Sequence, residues 1–80
     1  NDVFYPRGKG LFRVQLLQIF NRWGEMVFSK SNFYANNAAD GWNGMYKNKP
    51  ATTDVYTYVI EIICDNSSIL NFKGNIALIQ

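Results

Sequence analysis

Residues 19–28 have the sequence IFNRWGEMVF, and this stretch decides the fold. Two apolar segments, Ile19-Phe20 and Met26-Val27-Phe28, flank the turn Asn21–Gly24. Asn and Gly adopt a positive φ more readily than other residues, and tight turns between antiparallel strands need such residues. The stretch therefore predicts a β-hairpin with an Arg and a Trp at its turn.

The segment before this turn, residues 11–20, changes its hydrophobic phase part-way along. Apolar residues alternate as Phe12, Val14 and Leu16, and then resume one position out of phase as Leu17 and Ile19. Because side chains alternate between the two faces of a strand, this slip indicates either a β-bulge or a strand that is covered on both faces.

The most regular strand pattern covers residues 55–63. Tyr56, Tyr58, Ile60 and Ile62 share one face of this strand, whereas the other face mixes Val, Thr and Glu. We therefore predict that the face with the two tyrosines packs on the core.

Two regions lack a regular strand pattern. Residues 29–49 are polar and rich in Asn, Gly and Lys, and are predicted to form a long loop with one irregular strand near residues 32–34. The final segment, residues 69–80, is predicted to be a strand broken at Lys73-Gly74-Asn75. We expect the whole chain, residues 1–80, to form one all-β domain, a small antiparallel immunoglobulin-like β-sandwich of about seven short strands, with a small barrel as the alternative.

The composition argues against most catalytic and binding classes. The chain has no His and one Cys, so nucleophilic triads and common transition-metal sites lack their components, and we expect no enzyme activity and no cofactor. A net charge of +2 is too small and too scattered for nucleic-acid binding. Asp2 and Asp40, the latter near Asn36, Asn37 and Asn43, come closest to a calcium site, yet the carboxylates are spread singly and predict no metal site. No apolar segment is long enough to span a bilayer, so membrane insertion is not expected.

The aromatic residues allow two interpretations. Trp23, Trp42, Tyr46, Tyr56 and Tyr58 would either form an exposed platform on which sugar rings stack, or pack the interior. Packing is favoured, because buried aromatic side chains supply the largest apolar area per residue in a short chain. A carbohydrate-binding or adhesive module would instead need exposed, roughly coplanar rings on one face.

Five motifs, in order and spacing, resemble the gliding-motility-associated C-terminal domain. This is the type B sorting domain of the type IX secretion system in Bacteroidetes-type bacteria. The motifs cover essentially the whole chain and are NDVFYP (residues 1–6), IFNRWGEMVF (19–28), GWNG (41–44), VYTYVI (55–60) and GNIALI (74–79). The combination of the second and third motifs is specific to the family.

The sequence departs from the family pattern at three positions. The family usually carries Asp where Asn43 stands, Gly where Asp54 stands, and a basic residue where Gln80 stands. The family motif also begins a few residues earlier, so the resemblance implies that residue 1 lies inside the motif and that its N-terminal edge is trimmed.

The resemblance implies a C-terminal address label with no chemistry of its own. Its partners would be the type IX secretion machinery, through a PorP/SprF-like outer-membrane protein, and cargo domains upstream in the same parent chain, which is exported to the cell surface or the medium. We expect partner recognition at the two Trp motifs and the final strand, at Asn21, Arg22, Trp23, Gly24, Gly41, Trp42, Asn43, Gly44, Ile76, Leu78 and Ile79. Within the first motif, Trp23 is expected to pack, Asn21 and Gly24 to shape the turn, and Arg22 to remain for the partner.

Overall fold

Antiparallel strands form most of the part of the chain that the computed structural model describes, residues 4–9, 12–64 and 67–78. Within these ranges six strands follow in chain order: β1 (Arg13–Phe20), β2 (Met26–Tyr34), β3 (Met45–Tyr46), β4 (Lys49–Pro50), β5 (Asp54–Ile63) and β6 (Ile69–Leu78). One four-stranded sheet has the order β2-β1-β5-β6, and β3 pairs with β4 in a separate two-stranded sheet. The same ranges contain one 3₁₀ turn, Ala38–Asp40, and no helix with the length and hydropathy needed to cross a bilayer.

The prediction of an all-β, antiparallel domain is confirmed. The immunoglobulin-like sandwich is not confirmed, and six strands are found among the described residues where about seven were predicted. The predicted hairpin of residues 19–28 forms between β1 and β2, and Phe4 makes an isolated antiparallel bridge to Trp42.

The hydrophobic core lies on the face of the large sheet that the pattern of β5 predicts. Tyr56 and Ile60 are buried on this face, and Leu17 and Ile19 of the neighbouring strand β1 are fully buried beside them. Trp42, from the segment between β2 and β5, belongs to the same buried cluster. The segment before β5 therefore covers the core face of the sheet.

The phase slip in β1 is caused by a β-bulge, which was one of the two explanations predicted from the sequence. The register between β1 and β5 shifts between Val14 and Leu16. Val14 and Leu17 are both fully buried, whereas Leu16 is half-buried and pairs with Glu61 on the other face. The bulge thus keeps the apolar residues on either side of it in the core.

Two strand predictions were wrong. β2 continues through residues 29–31, where a loop was predicted, and so includes residues 32–34, where an irregular strand was predicted. The exposed Ser29 and Ser31 lie on the outer face of this edge strand, where polar side chains remain in water. β6 is continuous through Gly74, where a break was predicted. The Tyr58 ring lies over this glycine, and a Cβ at Gly74 would be 2.5 Å from the Tyr58 hydroxyl oxygen. The glycine makes room for a cross-strand aromatic ring and does not interrupt pairing.

Candidate functional site

The turn between β1 and β2 is organised by the side chain of Asn21. Its amide oxygen accepts hydrogen bonds from the backbone N–H groups of Trp23 at 3.0 Å and of Glu25 at 2.9 Å, and its amide nitrogen donates to the Glu25 carboxylate at 2.9 Å. Gly24 has a φ of 84° and donates its N–H to the Asn21 carbonyl oxygen at 3.1 Å. Asn21 and Gly24 therefore shape the turn, as predicted.

Of the other two residues of this turn, Trp23 contradicts its predicted role. Trp23 was expected to pack, but it is 72% exposed, because the turn projects beyond the end of the sheet. Arg22, which was expected to remain for a partner, has a side chain that is 62% exposed, and its guanidinium lies 3.5 Å from the Asp54 carboxylate and 5.6 Å from the centroid of the Trp23 ring. Trp23 is therefore the side chain that the turn presents to solvent, with Arg22 held against it.

A groove of about 450 Å³ lies between this turn and the β3-β4 hairpin. Trp23 lines one side of the groove, and Tyr46, Lys47 and Lys49 line the other. The Lys47 ammonium lies 5.2 Å from the centroid of the Tyr46 ring, and neither lysine forms an ion pair with a described residue. These hairpin residues were not predicted, because residues 29–49 were assigned mainly to a loop. The local signal of the hairpin is the Lys47-Asn48 turn, where both residues have positive φ.

The second Trp motif lies inside the domain. Trp42 is buried, packs edge-on against the Tyr56 ring at 5.2 Å, and donates its indole N–H to the Met45 carbonyl oxygen at 2.9 Å. Its backbone N–H donates to the Phe4 carbonyl oxygen at 2.8 Å, and its carbonyl oxygen accepts a hydrogen bond from the Phe4 N–H at 2.8 Å. Both Trp motifs were predicted to take part in recognition. One of them thus places its indole in solvent and the other places its indole in the core.

The final strand forms one edge of the four-stranded sheet. Ile76 and Leu78 are half-buried and pack against the core cluster, and Ile79 lies outside the described residues. Because β6 pairs only with β5, the backbone groups along its other side have no strand partner among the described residues. This edge and the Asn21–Gly24 turn are separate surfaces of the domain.

The family model of the CHU_C type IX secretion signal domain matches residues 1–78 of the chain. The chain belongs to this family. A search of curated proteins and a search of solved structures give no significant match. The resemblance found in the sequence motifs is thereby confirmed, and membership supports a role as a C-terminal sorting signal through which a parent protein is exported to the cell surface or the medium.

Two departures of this type IX signal domain from the family pattern have a structural account. Asn43 keeps the oxygen that an Asp would supply, since its side-chain carbonyl accepts a hydrogen bond from the Met45 N–H at 3.1 Å, and Gly44 follows with a φ of 82°. Asp54 adds the ion pair to Arg22, which a Gly at this position would lack, and accepts the Val55 N–H at 2.8 Å. The loop geometry of the GWNG motif is therefore compatible with Asn, and Asp54 ties the first turn to β5.

Asp40 and Tyr56 have partners within the described part of the signal domain. Within it, no group of three or more His, Cys, Asp or Glu side chains is placed to hold a metal ion. Asp40, the best candidate from the sequence, is paired with the Lys30 ammonium. Burial raises the pKa of the Tyr56 hydroxyl above its ordinary value of 10.0, the Asp54 carboxylate adds to this rise, and the hydroxyl donates a 2.7 Å hydrogen bond to the Thr52 carbonyl oxygen. Tyr56 is thus a structural phenol that stays protonated near neutral pH.

The sugar-platform interpretation has no support in the type IX signal domain. It requires Trp23 and Trp42 to be exposed together, and Trp42 is only 3% exposed. A single exposed indole on a turn does not form the flat array of rings that the interpretation requires. The packing interpretation holds for Trp42 and Tyr56 and fails for Trp23.

Proposed function

We propose that this domain directs export of its parent protein through recognition by the type IX secretion machinery at two surfaces, the Asn21–Gly24 turn and the final strand β6. The sorting role follows from the family, and the surfaces are argued from what the fold leaves accessible. The domain performs no chemistry, and the cargo lies upstream in the same parent chain. The outer-membrane partner is a PorP/SprF-like protein.

The observation that carries the proposal is the exposed Trp23 on a rigid turn. An indole that is 72% exposed leaves apolar surface in water, and burying that surface against a partner is favourable. Trp is also among the residues most enriched at the energetic centres of protein interfaces. The Asn21 hydrogen bonds fix the backbone below it, so less conformational entropy is lost when a partner binds.

The groove beside Trp23 supports the same surface. A partner side chain that entered it would contact the Trp23 and Tyr46 rings and approach the ammonium groups of Lys47 and Lys49. The buried Trp42 and its neighbours Gly41, Asn43 and Gly44 contribute to recognition in this proposal by holding the hairpin that forms the opposite wall, since the indole N–H is bonded to the Met45 carbonyl.

The proposal is tested by replacing Trp23 in the full parent protein, in a host that has the secretion system. Trp23→Ala is expected to lower the exported fraction at least about fivefold, the loss expected for one interface contact worth about 1 kcal/mol. Tyr34→Ala is the matched control, because Tyr34 is another exposed aromatic residue, 57% exposed, on the edge strand β2. Immunoblots of cell-surface, medium and periplasmic fractions measure export.

The outcomes separate the function from the surface. A parent protein that reaches the surface equally well in a strain without the secretion system would contradict the sorting role. Export that falls as much for Tyr34→Ala as for Trp23→Ala would contradict the assignment of the turn, and far-ultraviolet circular dichroism of each purified domain checks that both variants are folded.

A further inference from the structure

The two edges of the four-stranded sheet differ in regularity. Along the β2 edge, the register to β1 shifts between Ile19 and Phe20, and Asn32 has a φ of 56° within the strand. Along the β6 edge, ten consecutive pairs with β5 continue without any shift, from Ile63↔Ile69 to Asp54↔Leu78. Natural sheets protect their edges with bulges, prolines, short strands and charged side chains, and of these β6 has only Lys73 within its bounds.

The direction of the backbone groups on β6 follows from the adjoining turn. Cys64 donates its N–H to the Ser68 carbonyl oxygen at 2.8 Å, which makes Cys64 and Ser68 a hydrogen-bonded pair. In an antiparallel ladder such pairs alternate with pairs whose N–H and C=O groups point away from each other. The outward-pointing groups of β6 therefore belong to Ile69, Asn71, Lys73, Asn75 and Ala77.

Apolar side chains border this free edge. Leu70 is 47% exposed and Phe72 is 48% exposed, although both lie on the core face of the sheet, where Leu70 pairs with the half-buried Ile62 and Phe72 with the buried Ile60. A shallow cavity of about 330 Å³ lies against Phe72 on this face, between β6 and the N-terminal segment. A further strand at the edge would cover Leu70 and Phe72 and place its own apolar side chain in this cavity.

The charge on β6 selects the kind of strand that fits. Lys73 is its only charged residue, is exposed, and forms no ion pair with the residues described. It also stands at the centre of the outward-pointing series, so two copies of the chain in fully overlapped antiparallel pairing would set Lys73 opposite itself, which is unfavourable. A strand with an Asp or Glu at that position would instead gain a cross-strand ion pair.

From this geometry we infer that β6 accepts an extended segment of a partner protein as a fifth strand, with an acidic residue opposite Lys73 and an apolar residue against Phe72. The inference rests on the proposed sorting function and specifies how its second surface binds. Backbone hydrogen bonds from Asn71, Lys73, Asn75 and Ala77 supply the affinity, and the side chains beside them supply the specificity.

The test removes one outward N–H from the edge. Asn75→Pro in the full parent protein deletes an N–H that points away from β5, so the β5-β6 ladder keeps its hydrogen bonds, whereas Asn75→Ala keeps the N–H and is the matched control. We expect export of Asn75→Pro to fall at least about fivefold, the factor for one lost backbone hydrogen bond, and export of Asn75→Ala to match the wild type.

A second pair of variants keeps the test decisive if the proline destabilises the domain. Lys73→Glu is expected to lower export at least about fivefold, because it turns the cross-strand attraction into repulsion, while Lys9→Glu, at an exposed lysine outside the sheet, leaves export unchanged.

Failure of the inference and failure of the sorting function give different results. If the wild-type parent is exported only when the secretion system is present, but folded Asn75→Pro and Lys73→Glu are exported as well as wild type, strand addition is wrong and the sorting function stands. If wild-type export does not depend on the secretion system, the sorting function itself is wrong. A purified domain that dimerises in sedimentation analysis, with Asn75→Pro monomeric and export unchanged, would show that a second copy occupies the edge and would overturn the inference.

Discussion

Replacing each tryptophan by alanine distinguishes the structural roles of the two Trp motifs. Trp42→Ala removes a side chain that is 3% exposed, whereas Trp23→Ala removes one that is 72% exposed. We predict that the first change lowers the free energy of unfolding by about 4 kcal/mol and the second by at most about 1 kcal/mol.

The magnitude for Trp42 follows from its burial. A buried Trp removes roughly 150 to 250 Å² from water, which at about 25 cal/mol per Å² corresponds to roughly 4 to 6 kcal/mol. The indole N–H bond to the Met45 carbonyl oxygen adds about 1 kcal/mol, while partial collapse of the cavity recovers part of the loss. An 80-residue domain has roughly 4 to 12 kcal/mol of stability in total, so Trp42→Ala takes away at least a third of it. Trp23 retains little apolar contact beyond the Arg22 guanidinium, a contact worth roughly 0.5 to 1 kcal/mol.

Urea denaturation followed by far-ultraviolet circular dichroism measures both effects without relying on tryptophan fluorescence. With a slope of about 1 to 2 kcal/mol per M for a domain of this size, Trp42→Ala should lower the midpoint by about 2 M or more, or leave the domain unfolded. Trp42→Phe serves as the graded control, because it retains most of the apolar volume and loses the N–H. Equal midpoints for Trp42→Ala and Trp23→Ala would refute the assignment of one indole to the core and the other to the surface.

Three further predictions concern the groups around the first turn and the edge strand. Tyr56→Phe should flatten the fall in the free energy of unfolding above pH 10, because the raised pKa keeps the folded phenol protonated while the unfolded one ionises; denaturation at pH 7 and at pH 11 compares the variant with the wild type. Gly74→Ala should cost about 1 to 3 kcal/mol, since the added Cβ meets the Tyr58 hydroxyl oxygen at 2.5 Å, and a much smaller cost in a Tyr58→Leu background would confirm that the ring is the cause. A double-mutant cycle on Arg22 and Asp54 should give a coupling of less than about 1 kcal/mol that falls with added salt, because the Arg22 side chain is 62% exposed; a coupling insensitive to salt would contradict this.

The parts of the fold that depend on side-chain periodicity could be predicted from the sequence. Alternation in β5 identified the face on which Tyr56 and Ile60 are buried, and the phase slip near Leu16 indicated the bulge in β1. Both follow from the two-residue period of a strand, since a shift of one residue moves every side chain to the opposite face. Hydrophobic pattern therefore suffices where one face of a strand is buried.

The parts that depend on a partner strand could not be predicted from local pattern. Ser29 and Ser31 resemble loop residues by composition, and only pairing with β1 makes them part of an edge strand. Gly74 looks like a strand breaker until the Tyr58 ring is placed over it from β5. In both cases the deciding interaction comes from a residue more than ten positions away, so local propensity gives the wrong answer.

The candidate site was predicted in part, and the errors share one physical cause. The motif Asn21–Gly24 was found, but Trp23 was expected to pack and is exposed, because the sequence does not show whether a turn lies over the core or projects beyond it. The structure places the turn beyond the sheet, where the Asp54 carboxylate can reach Arg22 and nothing covers most of the indole. Lys47 and Lys49 were missed for the related reason that the hairpin carrying them is too short to produce a periodic pattern.

The two Trp motifs have complementary physical roles in a domain that must be both folded and recognised. Trp42 fixes the segment before β5 onto the core, and that segment carries the hairpin facing the first turn. The Asn21 side chain makes three hydrogen bonds within the first turn, so the backbone that carries the exposed Trp23 is fixed before any partner binds. An exposed indole on a mobile loop would lose much of its binding energy to ordering on contact, whereas one on this turn loses little. In the proposed recognition surface, the buried Trp42 thus stabilises the groove and the exposed Trp23 is presented beside it.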